Sequence, residues 1–313
     1  MPITRAEAFA PATVANVGVG FDIMGLAVGE PGDVVIAEWD DTPGARIVEI
    51  KGDGGKLPHA PEKNTATVAA NSLLRQVGAD HGARLTICKG IPAASGLGSS
   101  AASAVAGVVA VNALLAEPLA HADLLPACLD GEAAVSGYHP DNVAPCLLGG
   151  IILAYGLTPD KIVQLPVPDG LYLAIVTPAV EVPTVEARAV LPDLVPRQHM
   201  IRQTAAVARL VDALHRGDIP ALGAAMESDM VIEPARAHLM PLLKEARAAA
   251  HEIGAAGLAI SGAGPTLCAV CPTKSIAEQT ANAFGALYKA ANLDCMVQAA
   301  PISMAGAHVV KAT

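Results

Sequence analysis

The chain has 313 residues, and its 20 Lys and Arg against 30 Asp and Glu give a net charge of −10. At roughly 100–200 residues per domain, this length predicts about two domains with ample core. Aromatic residues make up only 3% of the chain. These properties argue against a nucleic acid or an anionic membrane as partner, because both select clustered Lys and Arg, and single-stranded bases also select stacking rings.

Hydrophobic residues make up 52% of the chain, yet no segment has the character of a membrane span. The longest apolar stretch, residues 101–116, is interrupted by Ser103 and Asn112. It falls short of the roughly 20 apolar residues that a spanning helix needs. The first 20 residues include Glu7 and lack an apolar core of the signal-peptide type. The sequence therefore predicts a soluble, cytoplasmic protein.

Strands and helices alternate through the first half of the sequence. In chain order the patterns predict strand 5–9, a turn-rich stretch at 16–25, strand 29–39, strand 46–51, loop 52–61, helix 64–76, strand 84–89, an Ala-rich helix that ends before Pro118, helix 122–136, exit loop 139–142 and strand 149–155. Residues 90–100 are predicted to form a Gly-rich turn that leads from strand 84–89 into the Ala-rich helix.

The second half begins with a Pro-containing connector and alternates in the same way. The predicted elements are connector 157–170, strand 171–177, a turn into a helix at 183–191, helix 199–215, helix 241–253, a Gly-punctuated stretch with strand character at 255–270, helix 275–291 and strand 295–299. This order predicts two domains, at 1–156 and 157–313, of the α/β or α+β class, and the resemblance described below favours α+β.

The six cysteines do not form the pattern of a disulfide framework. Cys268 and Cys271 have the spacing of a redox or zinc pair, but they lie in an apolar run that predicts a buried strand. Residues three apart on a strand point to opposite faces, so the two sulfurs should diverge. We therefore interpret both cysteines as small buried hydrophobic residues.

The segment 92–102 (PAASGLGSSAA) is the strongest candidate for chemistry. A Gly-rich turn leads into a helix N-terminus, where free amide groups and the helix dipole favour an anion. Gly96 and Gly98 would let the backbone approach a phosphate closely, and Ser99 and Ser100 add hydroxyl groups. The alternative is a purely structural helix start.

Other nucleotide and catalytic motifs are absent from the sequence. It contains neither a P-loop nor a dinucleotide fingerprint. The run Gly98-Ser99-Ser100-Ala101-Ala102 lacks the final glycine of the hydrolase elbow. The chain has no HExxH, and its nine histidines show no metal-ligand spacing.

Three segments together resemble the motifs of the GHMP kinases. Residues 92–102 are similar to the phosphate-binding motif of this superfamily, residues 10–27 (APATVANVGVGFDIMGLA) to its first motif, and residues 261–266 (SGAGPT) to its C-terminal Gly-rich motif. The three segments occur in the expected order across most of the chain. The resemblance implies a ribosomal-protein-S5-domain-2-like N-terminal domain that carries the phosphate loop, and a ferredoxin-like C-terminal domain.

Within the superfamily, the sequence most resembles the homoserine kinases. The similarity lies in Ala15-Asn16, Gly20-Phe21-Asp22, the 186–192 segment with Arg188, and the 233–239 segment with Arg236. The chain departs from that pattern at Thr13-Val14 and at Val19. The resemblance implies transfer of the γ-phosphate of ATP to the hydroxyl of L-homoserine, which gives O-phospho-L-homoserine for threonine biosynthesis.

Homoserine is a zwitterion, so its site needs a cation, an anion and a polar group near the hydroxyl. Arg188 and Arg236 can each bind a carboxylate through two charge-assisted bonds. The resemblance assigns the ammonium group to Asp22 and places Asn16, a catalytic candidate, beside the hydroxyl and the γ-phosphate. Thr184 and His139 complete the implied substrate pocket. We predict no strong general base.

The resemblance also implies a nucleotide and metal site. Glu132, a second catalytic candidate, is expected to bind Mg²⁺ together with Ser99 or Ser100, a sparse ligand set typical of this ion. Lys89, at a strand end, is expected to be solvated. The implied nucleotide-binding residues are Asn64 at the base, Pro92, Ser95, Gly96, Leu97, Gly98, Ser99, Ser100, Ala101 and Ala102, and the C-terminal motif contributes Ser261, Gly262 and Gly264.

Two alternatives remain open from the sequence. The chain could be another small-alcohol kinase of the superfamily, of the mevalonate or shikimate type, or a nucleotide-binding relative without turnover. The surplus of apolar residues also favours a homodimer.

Overall fold

A computed structural model describes residues 3–313 as a mixed α+β structure. Its strands are β1 (Arg5–Ala15), β2 (Met24–Asp40), β3 (Gly44–Lys51), β4 (Gly82–Cys88), β5 (Ile151–Ala154), β6 (Ile162–Leu165), β7 (Tyr172–Pro178), β8 (Gly257–Ile260), β9 (Leu267–Cys271), β10 (Cys295–Pro301) and β11 (His308–Ala312). Its helices are α1 (Thr65–Gln76), α2 (Ser99–Leu114), α3 (Leu125–Ala133), α4 (Pro140–Leu148), α5 (Thr184–Ala189), α6 (Arg197–Arg216), α7 (Ile219–Met226), α8 (Ile232–Arg236), α9 (Leu243–Ile253) and α10 (Lys274–Ala290).

The first sheet has seven strands in the order β11-β1-β2-β4-β3, with β5 paired to β2 and β6 paired to β5. Only β3 and β4 run parallel among the strand pairs described for this sheet. Helix α2 packs against β1 and β2 on one side and against α1 and α3 on the other. Its Ala- and Val-rich sequence is buried on nearly every side, because small side chains let these elements approach closely.

The second sheet is antiparallel, with the strand order β10-β7-β9-β8. Its two faces follow the period of two that strands impose. Ile175, Cys268 and Val270 face the large core that α6 and α7 share with the first sheet. Val176 and Leu267 face a smaller core that includes residues of α9 and α10. The second sheet thus packs on both faces.

The structure confirms the α+β class and the interpretation of the cysteines. All six cysteines are unpaired thiols. Cys268 lies in the large core and Cys271 in the smaller one, so their side chains point to opposite faces of β9. Within residues 3–313, no helix combines the length and the apolar character needed to cross a membrane.

Several elements differ from the sequence-based expectation. Residues 139–142 are not only an exit loop, because α4 begins at Pro140, and the connector 157–170 contains β6. Helices α7 and α8 and strand β11 were not expected. A proline opens α4 and Pro145 lies inside it, which gives a short helix the composition of a loop. The first sheet contains strands from both sides of the predicted boundary at 156/157, because β6 and β11 follow that boundary in the chain.

Candidate active site

Most of the predicted site residues line one cleft of about 330 Å³ between the two parts of the fold. The cleft lies over the N-terminus of α2 and extends to α5 and α8. The predicted residues that line it are Asn16, Asp22, Asn64, Ser95, Gly96, Gly98, Ser99, Ser100, Glu132, His139, Thr184, Arg188, Arg236, Gly262 and Gly264. Five other predicted residues lie at its margin or in the core, namely Pro92, Leu97, Ala101, Ala102 and Ser261.

Two glycines shape the loop before α2. Gly98 caps the helix in the left-handed conformation with φ of 68°, and Gly96 has φ of 82°. A Cβ atom at Gly98 would lie 2.1 Å from Oγ1 of Thr13, and one at Gly96 would lie 2.6 Å from the carbonyl oxygen of Ser261. Only glycine satisfies both the backbone angle and the space. The three sequence motifs therefore pack directly against one another.

Side-chain hydrogen bonds hold this loop to the C-terminal motif. Ser261 donates from Oγ to the carbonyl of Gly96 at 2.7 Å, and Thr266 donates from Oγ1 to the carbonyl of Ser95 at 2.6 Å. Thr13 donates from Oγ1 to Asn142 at 2.9 Å, and its amide donates to the carbonyl of Leu97. Thr13, one of the departures from the family pattern, thus contacts the loop through its amide and α4 through its hydroxyl.

The hydroxyls of Ser99 and Ser100 have different partners. Ser100 donates from Oγ to the carboxylate of Glu132, with distances of 2.8 and 3.0 Å to its two oxygens. Ser99 donates instead to the carbonyl of Ile91 at 3.0 Å. Burial raises the pKa of Glu132, whereas donation from Ser136 and Ser100 opposes that rise. Ser100 and Glu132 therefore form a buried oxygen pair at the start of α2.

Lys89 is not solvated, which corrects the sequence-based expectation. Its side chain is only 4% exposed and forms an ion pair with the fully buried Asp33. Its ammonium group also donates to the carbonyl of Ser99 at 2.9 Å and to Oγ of Ser103 at 2.8 Å. Asp33 accepts from the amides of Gly90 and Ile91. This network fixes the strand end to the first turn of α2.

Replacement of Lys89 by Met is expected to destabilise the fold by about 3–5 kcal/mol, because the change leaves the Asp33 carboxylate buried without its counter-ion. Urea denaturation would measure this loss. Lys51→Met is the matched control, since Lys51 contacts Glu49 at the surface and such pairs contribute at most about 1 kcal/mol. Equal stabilities of the two variants would contradict the structural role of Lys89.

The end of the cleft near α5 and α8 carries side chains of opposite charge. Arg188 donates to both carboxylate oxygens of Asp22, at 2.7 and 3.2 Å, and its Nη2 lies 3.2 Å from Nδ1 of His139. The guanidinium carbons of Arg188 and Arg236 lie 5.4 and 5.2 Å from the ring centre of Phe21. Phe21 thus supports both cations.

Arg236 is held in place by backbone oxygens rather than by an acid. It is 2% exposed, and it donates from Nε to the carbonyl of Ala187 and from Nη1 to that of Gly262. Burial, reinforced by the nearby charge of Arg188, lowers the pKa of Arg236 to about 10. Arg236 therefore remains protonated at neutral pH and lines the cleft without a carboxylate partner in the described part of the chain.

Asn16 and Asp22 bracket the turn between β1 and β2. Both adopt positive φ angles, of 71° and 60°, which Asn and Asp tolerate better than most residues. Asn16 donates from Nδ2 to the carbonyl of Gly262 at 2.9 Å and accepts the amide of Asp22 at 3.1 Å. The first motif is thereby fixed to the C-terminal one.

Asn64 and Thr184 lie at helix starts on the cleft wall. Asn64 caps α1 by accepting the amide of Ala66 at 3.1 Å, and it donates to the carbonyl of Pro58 at 3.0 Å. The side-chain amide of Asn64 thus connects the backbone before the helix to the first turn of α1. Thr184 is the first residue of α5, the helix that carries Arg188.

Asp141, which no sequence motif indicated as a site residue, also lines the cleft. It is 2% exposed, and its Oδ1 has no hydrogen-bond partner among the described residues. Burial, with a contribution from the charge of Asp22, raises the pKa of Asp141 to about 7. The acidic residue in His139-Pro-Asp-Asn could have indicated this position. Its burial depends on α4, however, and the sequence of α4 predicted a loop.

The chain matches two family models. Residues 64–150 match the GHMP kinases N terminal domain, and residues 210–290 match the GHMP kinases C terminal domain. The chain is 40% identical over 307 residues to a homoserine kinase of Xylella fastidiosa, covering 98% of this chain and 94% of that one. It is 37% identical to a homoserine kinase of Chloroherpeton thalassium, covering 98% and 99% of the two chains.

A solved structure agrees with these relatives. The crystal structure of homoserine kinase from Cytophaga hutchinsonii superimposes with a TM-score of 0.94 at 40% sequence identity. The match covers 98% of this chain and 97% of that one. The similarity therefore extends over both parts of the fold and over the cleft between them.

Proposed function

Because this chain belongs to the homoserine kinase family of the GHMP kinases, we propose that it transfers the γ-phosphate of ATP to the hydroxyl of L-homoserine, forming O-phospho-L-homoserine for threonine biosynthesis in the cytoplasm. One observation carries the proposal. A single cleft joins an anion-binding helix N-terminus to a separate set of paired opposite charges. The first feature suits a triphosphate and the second suits a zwitterion.

The triphosphate would bind where residues 92–102 enter α2. The amides of the first helical turn, including those of Ser99 and Ser100, have no intrahelical acceptors and point toward the cleft end of the helix. These backbone donors supply positive potential in an acidic chain without a P-loop lysine. We propose that Asn64 and the Gly262–Gly264 segment complete the nucleotide side of the cleft.

The residues present fit a magnesium ion. Glu132 and Ser100 offer one carboxylate and one hydroxyl, and Mg²⁺ commonly takes one or two protein oxygens beside water and phosphate. When bound, Mg²⁺ neutralises charge on the phosphates during transfer. Ser99 is the weaker of the two serine candidates, because its hydroxyl donates to Ile91.

Homoserine would occupy the charged end of the cleft. We propose that Arg188 and Arg236 bind its carboxylate and that Asp22 binds its ammonium group, with Asn16, His139 and Thr184 around the remaining chain. Arg188 and Asp22 neutralise each other in this structure. A zwitterion offers each of them a replacement partner of the right sign, so the pair can open at little electrostatic cost.

The transfer itself would depend mainly on positioning. The hydroxyl oxygen of homoserine forms a bond to the γ-phosphorus while the bond from that phosphorus to the ADP oxygen breaks, and the hydroxyl proton passes to an oxygen of the transferred phosphoryl group or to water. Asn16, fixed between Gly262 and Asp22, is the side chain we propose beside the reacting hydroxyl. Asp22 is paired with Arg188 and is proposed to bind the ammonium group, so we assign it no role at the hydroxyl.

A coupled assay of ADP release tests this function. We expect ADP release with L-homoserine and ATP, and little with mevalonate or shikimate, because neither alcohol carries an ammonium group for Asp22. Turnover of mevalonate or shikimate in preference to homoserine would contradict the assignment. ATP binding without ADP release for any of the three would indicate a relative that binds nucleotide without turnover. The expected homodimer stays a prediction that sedimentation velocity would check.

A further inference from the structure

We propose that Arg247 is a positioning residue, which holds α8 and the C-terminal Gly-rich motif so that Arg236 and Asn16 reach the same substrate molecule. The inference rests on the proposed function, because it concerns the support of two residues placed in that cleft. Arg247 itself lies in α9, away from the residues that line the cleft and outside the three sequence motifs.

Helix α8 carries Arg236 but has little stability of its own. It has only five residues, Ile232–Arg236, and the third of them is a proline. A helix of this length forms barely more than one turn, so its position depends on contacts with other elements. Asp229 accepts the amides of Ile232 and Glu233 at 3.1 and 2.8 Å, which fixes the start of the helix. The direction of the helix needs a second attachment, which the side chain of Glu233 provides.

That attachment is the ion pair between Glu233 and Arg247. Arg247 donates from Nη2 to Oε2 of Glu233 at 2.6 Å and from Nε to Oε1 of Glu227 at 3.2 Å. The three side chains are between 18% and 25% exposed. Burial alone would lower the pKa of Arg247, but Glu233 and then Glu227 raise it above its ordinary value. Arg247 is therefore a cation that bridges carboxylates from two separate segments.

The same guanidinium contacts the strand that leads into the C-terminal Gly-rich motif. Arg247 also donates from Nη2 to the carbonyl of Leu258 at 3.1 Å, and Glu227 accepts the amide of Leu258 at 2.8 Å. Leu258 lies in β8, which ends at Ile260, two residues before Gly262. The network thus fixes the strand from which Gly262 follows.

A further contact joins this network to the first motif. Glu227 directly follows Met226, the last residue of α7. A Cβ atom at Gly18 would lie 2.1 Å from the carbonyl oxygen of Met226, so the turn between β1 and β2 packs directly on the end of α7. Through Glu227, Arg247 therefore connects α8 and β8 to the segment that carries Asn16.

These segments meet at one carbonyl group in the cleft. Gly262 accepts from Nδ2 of Asn16 at 2.9 Å and from Nη1 of Arg236 at 3.0 Å. The proposed function places Asn16 beside the reacting hydroxyl and Arg236 at the carboxylate of homoserine. Loss of Arg247 would let α8 and β8 shift relative to each other, and a displacement of about 1 Å is enough to weaken a precisely positioned site.

A double-mutant cycle between Arg247 and Arg236 tests this role, with each substrate varied in turn in initial-rate assays. In Arg247→Met, the KM for homoserine is expected to rise about 3- to 30-fold, the range of coupling within one ion-pair network, while the KM for ATP stays within about twofold. In the Arg236→Ala background, Arg247→Met should raise the KM for homoserine by less than about twofold more, because the residue that it positions is gone. Arg247→Lys should recover part of the wild-type KM, because it keeps the charge but not the fork.

Two further variants and a binding measurement complete the design. Arg216→Met is the matched control, since Arg216 pairs with Asp212 on the exposed surface of α6. Glu233→Gln weakens the same ion pair without removing a large side chain, so it carries the same cycle where Arg247→Met is too unstable to assay. Calorimetric titration with homoserine should reproduce the cycle in Kd, without any turnover.

Three results would overturn the inference. Additive effects of Arg247→Met and Arg236→Ala on homoserine would show that the two residues act independently. Equal increases of KM for ATP and homoserine would indicate that Arg247 only stabilises the fold. An unchanged KM for homoserine in both Arg247→Met and Glu233→Gln would exclude a positioning role. Absence of ADP release by the wild-type protein would instead refute the proposed function, and the calorimetric cycle would still decide the role of Arg247.

Discussion

Replacing Glu132 with Gln is expected to lower kcat roughly a hundredfold or more, because the change removes the buried carboxylate that accepts from Ser100 and that we propose holds the metal ion. Glu132 is 4% exposed and accepts hydrogen bonds from Ser100 and Ser136. Gln preserves the shape and is neutral, so the helix should remain folded. Steady-state kinetics at saturating ATP and homoserine over a range of Mg²⁺ concentrations would measure the effect.

Comparison of variants separates a metal role from a structural one. Ser100→Ala should raise the Mg²⁺ concentration needed for half-maximal rate, whereas Ser99→Ala should have the smaller effect, because Ser99 donates to Ile91 rather than to Glu132. Glu117→Gln, at an exposed position after α2, serves as the control. An unchanged kcat for Glu132→Gln at limiting Mg²⁺ would remove Glu132 from the proposed metal site. A large fall in the melting temperature of Glu132→Gln would instead indicate that the substitution destabilises the fold.

The sequence predicted most elements of the fold, and local chemistry explains where it failed. Helices such as α1 and α10 have regular apolar spacing and side-chain caps, at Asn64 and Thr273, which a pattern can identify. Helix α4 has only nine residues and contains Pro140 and Pro145, so its composition resembled that of a loop. Its helical form depends on burial against β1 and β2, which is a tertiary effect.

Some features of the candidate site also have local causes, and others depend on long-range contacts. The glycines of the loop before α2 were predictable, because their positive φ angles are a local requirement of a tight turn before a helix. The burial of Lys89 was not, because it depends on strand register. Val34 pairs with Cys88 across β2 and β4, which brings Asp33 and Lys89 together at the next position. This register joins residues more than 50 positions apart in the chain, so a local sequence pattern does not reveal it.

The sequence also did not predict the ion pair between Arg188 and Asp22. Arg188 and Asp22 lie 166 positions apart in the chain, and their ion pair forms because α5 lies over the turn between β1 and β2. The motifs predicted that both residues lie at the substrate, but they did not predict that each neutralises the other. A partly buried charge costs less free energy when a counter-charge lies beside it, so each of these two residues stabilises the other in the cleft.

Replacing Arg236 with Ala is expected to raise the KM for homoserine by about 10- to 100-fold or more while the KM for ATP stays nearly constant, because loss of a charged hydrogen bond costs about 1.5–3 kcal/mol. Arg236 is 2% exposed and has no carboxylate partner within residues 3–313, so a substrate carboxylate would be its first full counter-charge. Initial-rate kinetics with each substrate varied in turn would measure both constants.

Arg236→Lys separates charge from geometry at this position. Lys keeps a positive charge but lacks the planar fork that reaches the carbonyls of Ala187 and Gly262 while facing the cleft. We therefore expect Arg236→Lys to recover only part of the lost homoserine affinity, and we expect both variants to lose some thermal stability because those carbonyls lose a donor. Equal increases of KM for ATP and homoserine would contradict a carboxylate-binding role, since they would show that the whole cleft had been disturbed. Full recovery by Lys would show that charge alone, and not bidentate geometry, binds the substrate carboxylate.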